Sequence, residues 1–425
     1  MAPFDRILSG IPEMDQAFDN IRLGDNVVWR VSDLAQFKLF MEPYVEQAVK
    51  DKRNIIYFRF ASHEPLIEDR PEVKTVNIPL SHRFETFTID IHNVIEAEGL
   101  DAFYVFDCLS ELQTAWATDL MMGNFFRVTC PFLFILDTVA FFPIIRGKHS
   151  VNSINKILDT TQLFIDVYSD NKNIYVRPEK VWNRDSDTMF LPHTYEPETG
   201  KFRPILDGVK SSRFYQALGQ AQRSAEEQFS DSWDRFFNRT KILHESDADI
   251  TAECSRMCNI MMTRDEKMRE MVKKNFTPED YFAVRDHMIG TGMIGGKSCG
   301  MLLARAIIRN KEPDIAEYLE PHDSFYAGSD LYYTYIVDNG LWDLRVKQRT
   351  DEGYFTLADE FAQKLMQGKF SKSMRRQFMR IIEYYGQDPY IVRSSSILED
   401  GFGNAFAGKY ESVFCANRGT PEERL

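Results

Sequence analysis

No stretch of this 425-residue chain reaches the ~18 uncharged apolar residues that a membrane-spanning helix needs. The start, Met1-Ala-Pro-Phe-Asp-Arg6, has no basic segment leading into an apolar run, so no secretory signal is expected. Positive charge is short: 51 Lys and Arg stand against 64 Asp and Glu, a net charge of −13. That balance argues against a nucleic-acid backbone as partner. Cysteine is sparse as well. The six present show no dense or paired spacing, which suits reduced thiols in a cytoplasmic protein rather than a disulfide scaffold. Cys254 and Cys258 stand one helical turn apart, but no second pair or histidine follows at zinc spacing, so no metal centre is expected there. Internal repeats and low-complexity tracts are missing too.

What is present reads as α/β, in two or three domains. Candidate strands are Asn26–Val31, Asn54–Phe60, Ala102–Phe106, Phe132–Leu136 and Leu163–Val167, with a further apolar run at Ala140–Ile145. The helical stretches Ala35–Lys50, Phe84–Glu98 and Thr114–Arg127 lie between them. Short apolar strands alternating with longer helices predict a largely parallel sheet with helices on both faces. Ile174–Val176 and Lys180–Trp182 read as a closing hairpin-type pair. From about residue 211 to 275 the composition turns to Gln, Glu, Arg, Met and Ala, which predicts a helical connector with helices over 217–236 and 252–274. Met257, Ile260, Met261, Met268 and Met271 form an apolar stripe suited to packing. Thr277-Pro278 reads as a helix cap followed by proline at the first helical position.

Within residues 1–210, Ser9-Gly-Ile-Pro-Glu-Met-Asp15 resembles the opening of KaiC and RecA-like ATPases. Ala102-Phe-Tyr-Val-Phe-Asp107-Cys-Leu-Ser110 resembles their Walker B strand. A phosphate loop, however, needs glycines and a Lys-Ser/Thr pair so that backbone amides can wrap a phosphate. After Val31 this chain reads Ser-Asp-Leu-Ala-Gln-Phe-Lys38, without a glycine. The expectation is a degenerate RecA-like domain with Lys38 solvated on a helix and Asp107 lacking a partner for magnesium.

The densest signal lies near the end: Tyr390-Ile-Val-Arg-Ser-Ser-Ser-Ile-Leu-Glu-Asp-Gly-Phe-Gly-Asn-Ala-Phe-Ala-Gly-Lys409. An apolar run, Tyr390–Val392, predicts a short buried strand delivering Arg393 and Ser394, Ser395 and Ser396 into a loop of small residues. Arginine offers a fork of donors that matches phosphate oxygens, and glycines let backbone amides approach an anion. A plain reading is also open, with the serines capping a helix from Ile397 and Arg393 pairing with Glu399 or Asp400. About a hundred residues upstream, Gly295-Gly296-Lys297 places a cation at the positive N-terminal end of a helix. By itself this is more often a simple helix-opening turn.

These segments, with Ser324–Leu341 between them, resemble in order and spacing the ATP-binding, ATP-grasp domain of phosphoenolpyruvate synthase and pyruvate phosphate dikinase. The resemblance spans roughly residues 276–425. It implies that Gly295, Gly296, Lys297, Arg393, Ser394, Ser395, Ser396 and Gly408 bind ATP phosphates, with Lys297 and Arg393 acting in catalysis and Glu399 and Asp400 supporting. Lys409 stands where the family has glutamine, adding a cation near the phosphates. The resemblance further implies that ATP and Mg2+ are cofactors, with metal ligands beyond Leu425. A phosphohistidine domain and a pyruvate/PEP-binding domain would follow in a longer protein, making this a fragment of an ATP-dependent phosphotransferase. The alternative is a non-catalytic nucleotide sensor or adaptor; the phosphoryl acceptor and any homo-oligomer stay open.

Overall fold

The computed structural model describes residues 5–170, 172–221, 229–320, 323–396 and 410–425. The chain folds as two compact units, residues 1–232 and 233–425, in a mixed α/β architecture.

In the first unit, β1 (Arg6–Ile7) and β2 (Ile21–Arg22) form a small antiparallel ribbon. The main sheet has β3 (Asn26–Val31), β4 (Ile55–Arg59), β5 (Val73–Asn77), β6 (Phe103–Phe106), β7 (Val139–Ile145), β8 (Leu163–Ser169), β9 (Ile174–Val181), β10 (His193–Glu196) and β11 (Lys201–Pro204). Their order is β11-β10-β9-β8-β3-β7-β6-β4-β5. The run from β8 to β5 is parallel, and β9 to β11 extend it antiparallel. The inner strands are apolar at nearly every position because both faces are covered. Residues such as Trp29, Tyr57, Phe103 and Phe141 point to one face, where helix Leu34–Lys50 lays down Phe40 and Tyr44. Tyr44 stacks on Phe141 at 3.9 Å and Trp29 on Phe40 at 4.4 Å. The alternate residues, Phe58, Phe106 and Phe142, face Phe125 and Phe126 of helix Leu120–Ile135. Pro43 interrupts helix Leu34–Lys50, so the Leu39 carbonyl loses its usual donor. The Tyr195 hydroxyl donates to it instead, at 3.5 Å.

Two readings of the sequence are corrected here. Phe132–Leu136 is not a strand: it ends helix Leu120–Ile135, whose buried residues Met122, Phe126, Thr129 and Leu133 recur at helical spacing. A continuous apolar run does not distinguish the two states. Ile174–Val176 and Lys180–Trp182 are not a hairpin either. The chain continues straight through Arg177-Pro178 as β9, antiparallel to β8. Pro178 is tolerated because it lies at a register shift, and β10 pairs only with Ile174–Val176 on the other side.

Two fully enclosed carboxylates of this unit, Asp166 and Asp107, are each surrounded by donors. Asp166, on β8, has no exposure and is held by Arg30 on β3 and by Arg146 at 3.2 Å. Burial alone would raise its pKa, but hydrogen bonding and charge from Arg30 outweigh it and hold the carboxyl below its usual value. Asp107, following β6, is equally enclosed. It accepts from the Tyr57 hydroxyl, from Arg59 at 2.5 Å, and from the amides of Phe60 and Ala61 at 2.8 and 2.9 Å. The Tyr57 hydroxyl and the two amides donate to it, while Arg59 also donates to the Ala61 and His63 carbonyls.

The second unit is mostly helical. β12 (Met288–Ile289) and β13 (Tyr326–Ala327) pair in parallel, and β14 (Tyr390–Arg393) pairs antiparallel with β15 (Ser412–Cys415). The expected 252–274 helix is split into Thr251–Met257, a wide turn at Cys258–Met262 and Glu266–Asn275, with Asp265 capping the last. Met257, Met261 and Met268 are buried, as a packing stripe requires. Thr277 and Asp280 form a capping box with Pro278 behind the cap. Tyr390–Val392 is a strand but not a buried one: Val392 is 54% and Phe414 83% exposed. Among the described residues this ribbon has two strands, and no third strand joins it.

Replacing Asp107 by Ala should destabilise the first unit by about 3–5 kcal/mol, the usual cost of stranding a buried charged partner. Thermal unfolding should show this as a drop of roughly 2–4 °C per kcal/mol; an unchanged melting temperature would contradict the role. A second expectation concerns pH. Burial lowers the pKa of both His92 and His193 to about 4, from an ordinary 6.5. The unfolded chain therefore binds more protons between these values, so stability is full above about 6.5 and falls as pH drops toward 4. His193 packs among Phe202, at 4.7 Å, and Phe18. Denaturant midpoints for His193→Phe should fall less steeply over that window than those of the parent chain.

Candidate functional site

The two segments separated by about a hundred residues touch. β12 ends at Ile289, and the chain enters the loop Gly290–Gly295 before helix Gly296–Lys311. β14 delivers Arg393, and Ser394–Ser396 then run against that loop. Gly295 has φ 85°, and a Cβ built there would lie 1.5 Å from the Ser395 carbonyl oxygen. Only glycine permits both the backbone conformation and the approach. The Gly296 amide donates to the Ser396 carbonyl at 3.1 Å. The Ser298 amide donates to Ser395 Oγ at 3.1 Å, and the two hydroxyls lie 3.0 Å apart.

The far side of the glycine loop is fixed by residues within Ser324–Leu341 to which the sequence reading gave no site role. The Thr291 hydroxyl donates to the Asp330 carboxylate at 2.7 Å, and the Met293 amide donates to Ser329 Oγ at 3.1 Å. Ser329 and Asp330 open helix Ser329–Asp338 directly after β13. The Asp330 amide returns a bond to the Thr291 carbonyl at 3.2 Å. A Cβ on Gly292 would collide with both side chains, at 2.4 Å from Ser329 Oγ. The loop is thus clamped between the start of one helix and the serine segment. Ser298 had a sequence signal, a hydroxyl directly after lysine; Ser329 and Asp330 lie in the Ser324–Leu341 stretch that carries the resemblance, but nothing in it marked these two side chains.

Lys297 is half-buried in the first turn of helix Gly296–Lys311, while Arg393 is exposed at the end of β14. Their positions flank the Gly295–Ser395 contact along the chain. Ser394, Ser395 and Ser396 are half-buried. Glu399, Asp400, Gly408 and Lys409 lie outside the described residues. Burial pushes the Cys299 thiol up to about 12, so this neighbour of Lys297 stays protonated and is no nucleophile. Among the described residues, no group of three or more His, Cys, Asp or Glu is placed to hold a metal ion.

The corresponding corner of the first unit is built otherwise. After β3 the turn is only Ser32-Asp33, and the Asp33 carboxylate accepts from the Gln36 amide at 3.0 Å as the cap of helix Leu34–Lys50. Gln36 Oε1 accepts from the Ser32 amide at 2.9 Å, and its amide group donates to Ser169 at 2.8 Å. A negative charge already sits on the helix N-terminus. Lys38 reaches only the Pro65 carbonyl, at 3.4 Å.

Gly295→Ala should loosen the serine segment. Hydrogen exchange at the Ser298 amide should accelerate several-fold, with stability lowered by about 1–3 kcal/mol from the strained backbone. Gly300→Ala, on the same helix with open space around it, should leave both unchanged or slightly improved. Equal behaviour of the two variants would deny the contact.

No curated protein matches the chain. Residues 291–425, about a third of it, match the family model for the pyruvate phosphate dikinase AMP/ATP-binding domain. The match starts at Thr291, inside the glycine loop, and takes in both segments that meet at Gly295. The C-terminal part of this chain, from Thr291 to Leu425, is thus similar to the AMP/ATP-binding domain of pyruvate phosphate dikinase.

Proposed function

We propose that the second unit binds the polyphosphate of ATP between the Gly295-Gly296-Lys297 turn and the Arg393–Ser396 segment, as the ATP-binding portion of a phosphotransferase. The observation that carries this reading is the backbone contact between Gly295 and Ser395, which puts Lys297 and Arg393 at the borders of one loop pair. In it Lys297 acts as a point charge at a helix N-terminus and Arg393 as a bidentate clamp. Transfer of a phosphoryl group depends on such positioning and charge neutralisation. The acceptor would be a phosphohistidine carrier serving pyruvate or a related acid, in domains that accompany this one. Mg2+ belongs to the same reading, but the described residues supply no cluster to hold it, so no step is assigned to it. Glu399, Asp400, Gly408 and Lys409 keep their proposed supporting and phosphate-binding roles.

The first unit is read as a RecA-like domain that no longer handles nucleotide. Two features support this: the Asp33 carboxylate capping the helix where a phosphate would sit, and Asp107 with its oxygens taken by four donors. A second reading of the whole chain, as a nucleotide sensor, draws on one observation. Ser396 and Ser395 already accept from the Gly296 and Ser298 amides, donors that a phosphate would compete for.

Arg393→Ala and Lys297→Ala should each weaken ATP binding by roughly ten- to a hundred-fold, since a hydrogen bond to a charged group is worth about 1.5–3 kcal/mol. Arg393→Lys should restore part of the loss, because an ammonium does not grip two oxygens in one plane. Calorimetric titration with ATP, alongside thermal melts, separates the possibilities. Arg393→Ala with a sharply lower melting temperature and unaltered ATP affinity would make the arginine a structural residue.

A further inference from the structure

Helix Gly296–Lys311 carries a second feature at its other end. Arg305 and Arg309 stand eight and twelve residues beyond Lys297, roughly 12 and 18 Å along the axis at 1.5 Å per residue. There the helix walls a cavity of about 270 Å³ together with helix Pro278–Asp286 and the start of β13. Its apolar lining includes Ala283, Val284, Leu302 and Ala306.

The charges around it are unequally spent. Arg309 is bound bidentately by Asp280, at 2.8 and 2.6 Å, a carboxylate that also accepts from the Thr277 amide at 2.8 Å. Arg305 gives one N–H to the Glu320 carbonyl at 2.8 Å. A carbonyl bears no formal charge, and among the described residues no carboxylate pairs with this guanidinium. His287 bonds the Ala283 carbonyl through Nδ1 at 2.9 Å, which fixes the proton there and leaves Nε2 as its second polar atom. Tyr326 completes the lining, and burial, the largest influence on it, raises its phenol so that it stays protonated and able to donate.

We infer that this cavity is a second ligand site, separate from the glycine loop, for a small amphipathic carboxylate. One guanidinium without a carboxylate partner among the described residues matches one carboxylate, whose two oxygens fit its planar donor fork. The apolar wall takes a short aliphatic or aromatic body, and the volume falls just below the ~300–1,000 Å³ of common small-molecule sites. A phosphate dianion fits poorly, because among the described lining residues Arg305 is the one cation without a carboxylate partner and Asp280 lies on the same rim. The site touches the structure that holds the glycine loop: His287 immediately precedes β12, and Tyr326 begins β13.

The test is a ligand-observed NMR titration of the full 425-residue chain with phenylacetate, phenylacetamide and inorganic phosphate. Phenylacetate should bind saturably, phenylacetamide at least ten-fold more weakly, and phosphate should not displace phenylacetate. Arg305→Gln should weaken phenylacetate at least ten-fold and leave phenylacetamide unchanged, with Arg305→Lys between. Ala306→Phe, which fills the cavity, should remove both; thermal melts confirm that each variant is folded. Absence of saturable phenylacetate binding, equal affinity for the amide, displacement by phosphate, or indifference to Arg305→Gln in a folded protein would each overturn the assignment.

Discussion

The absence of a side chain at Gly295 is the constraint on which the second unit's site depends. A Cβ at that position would stand 1.5 Å from the Ser395 carbonyl, well inside any permitted contact. Because it is missing, two segments far apart in sequence share hydrogen bonds through the Gly296 and Ser298 amides. Ser329 and Asp330 then hold the loop from behind through Thr291 and Met293. A loop restrained on both sides gives up little entropy when a ligand arrives.

The first unit shows the opposite use of similar parts. Its parallel sheet brings strand ends and a helix N-terminus to one edge, the arrangement at which open α/β sheets bind ligands. Here that helix carries its own carboxylate, Asp33, and the acid after β6, Asp107, is enclosed by Tyr57, Arg59, Phe60 and Ala61. Both carboxylates are spent on the fold. In the low-dielectric interior each donor stranded by loss of its partner would be costly, so the network is held together as a unit.

The glycine loop and the cavity under Arg305 are joined by one rigid helix and one strand pair. Lys297 opens helix Gly296–Lys311 and Arg305 lies on its second half, while β12 and β13 run between His287 and the loop.

Much of this was legible in order of residues. The helix over residues 84–98, the strand at 26–31 and the Thr277 cap follow from periodicity and capping chemistry, which act over a few neighbours. The missing phosphate loop after Val31 and the two segments resembling an ATP-binding domain were equally readable, since they rest on residue type and spacing. What failed were short apolar runs: Phe132–Leu136 suits helix or strand alike, and the exposure of Tyr390–Val392 depends on which neighbours cover it. The meeting of Gly295 with Ser395, the clamp by Asp330, the saturation of Asp107 and the unspent charge of Arg305 were decided by tertiary structure alone. Each joins residues from separate elements, and local rules reach only a turn or a strand pair along the chain.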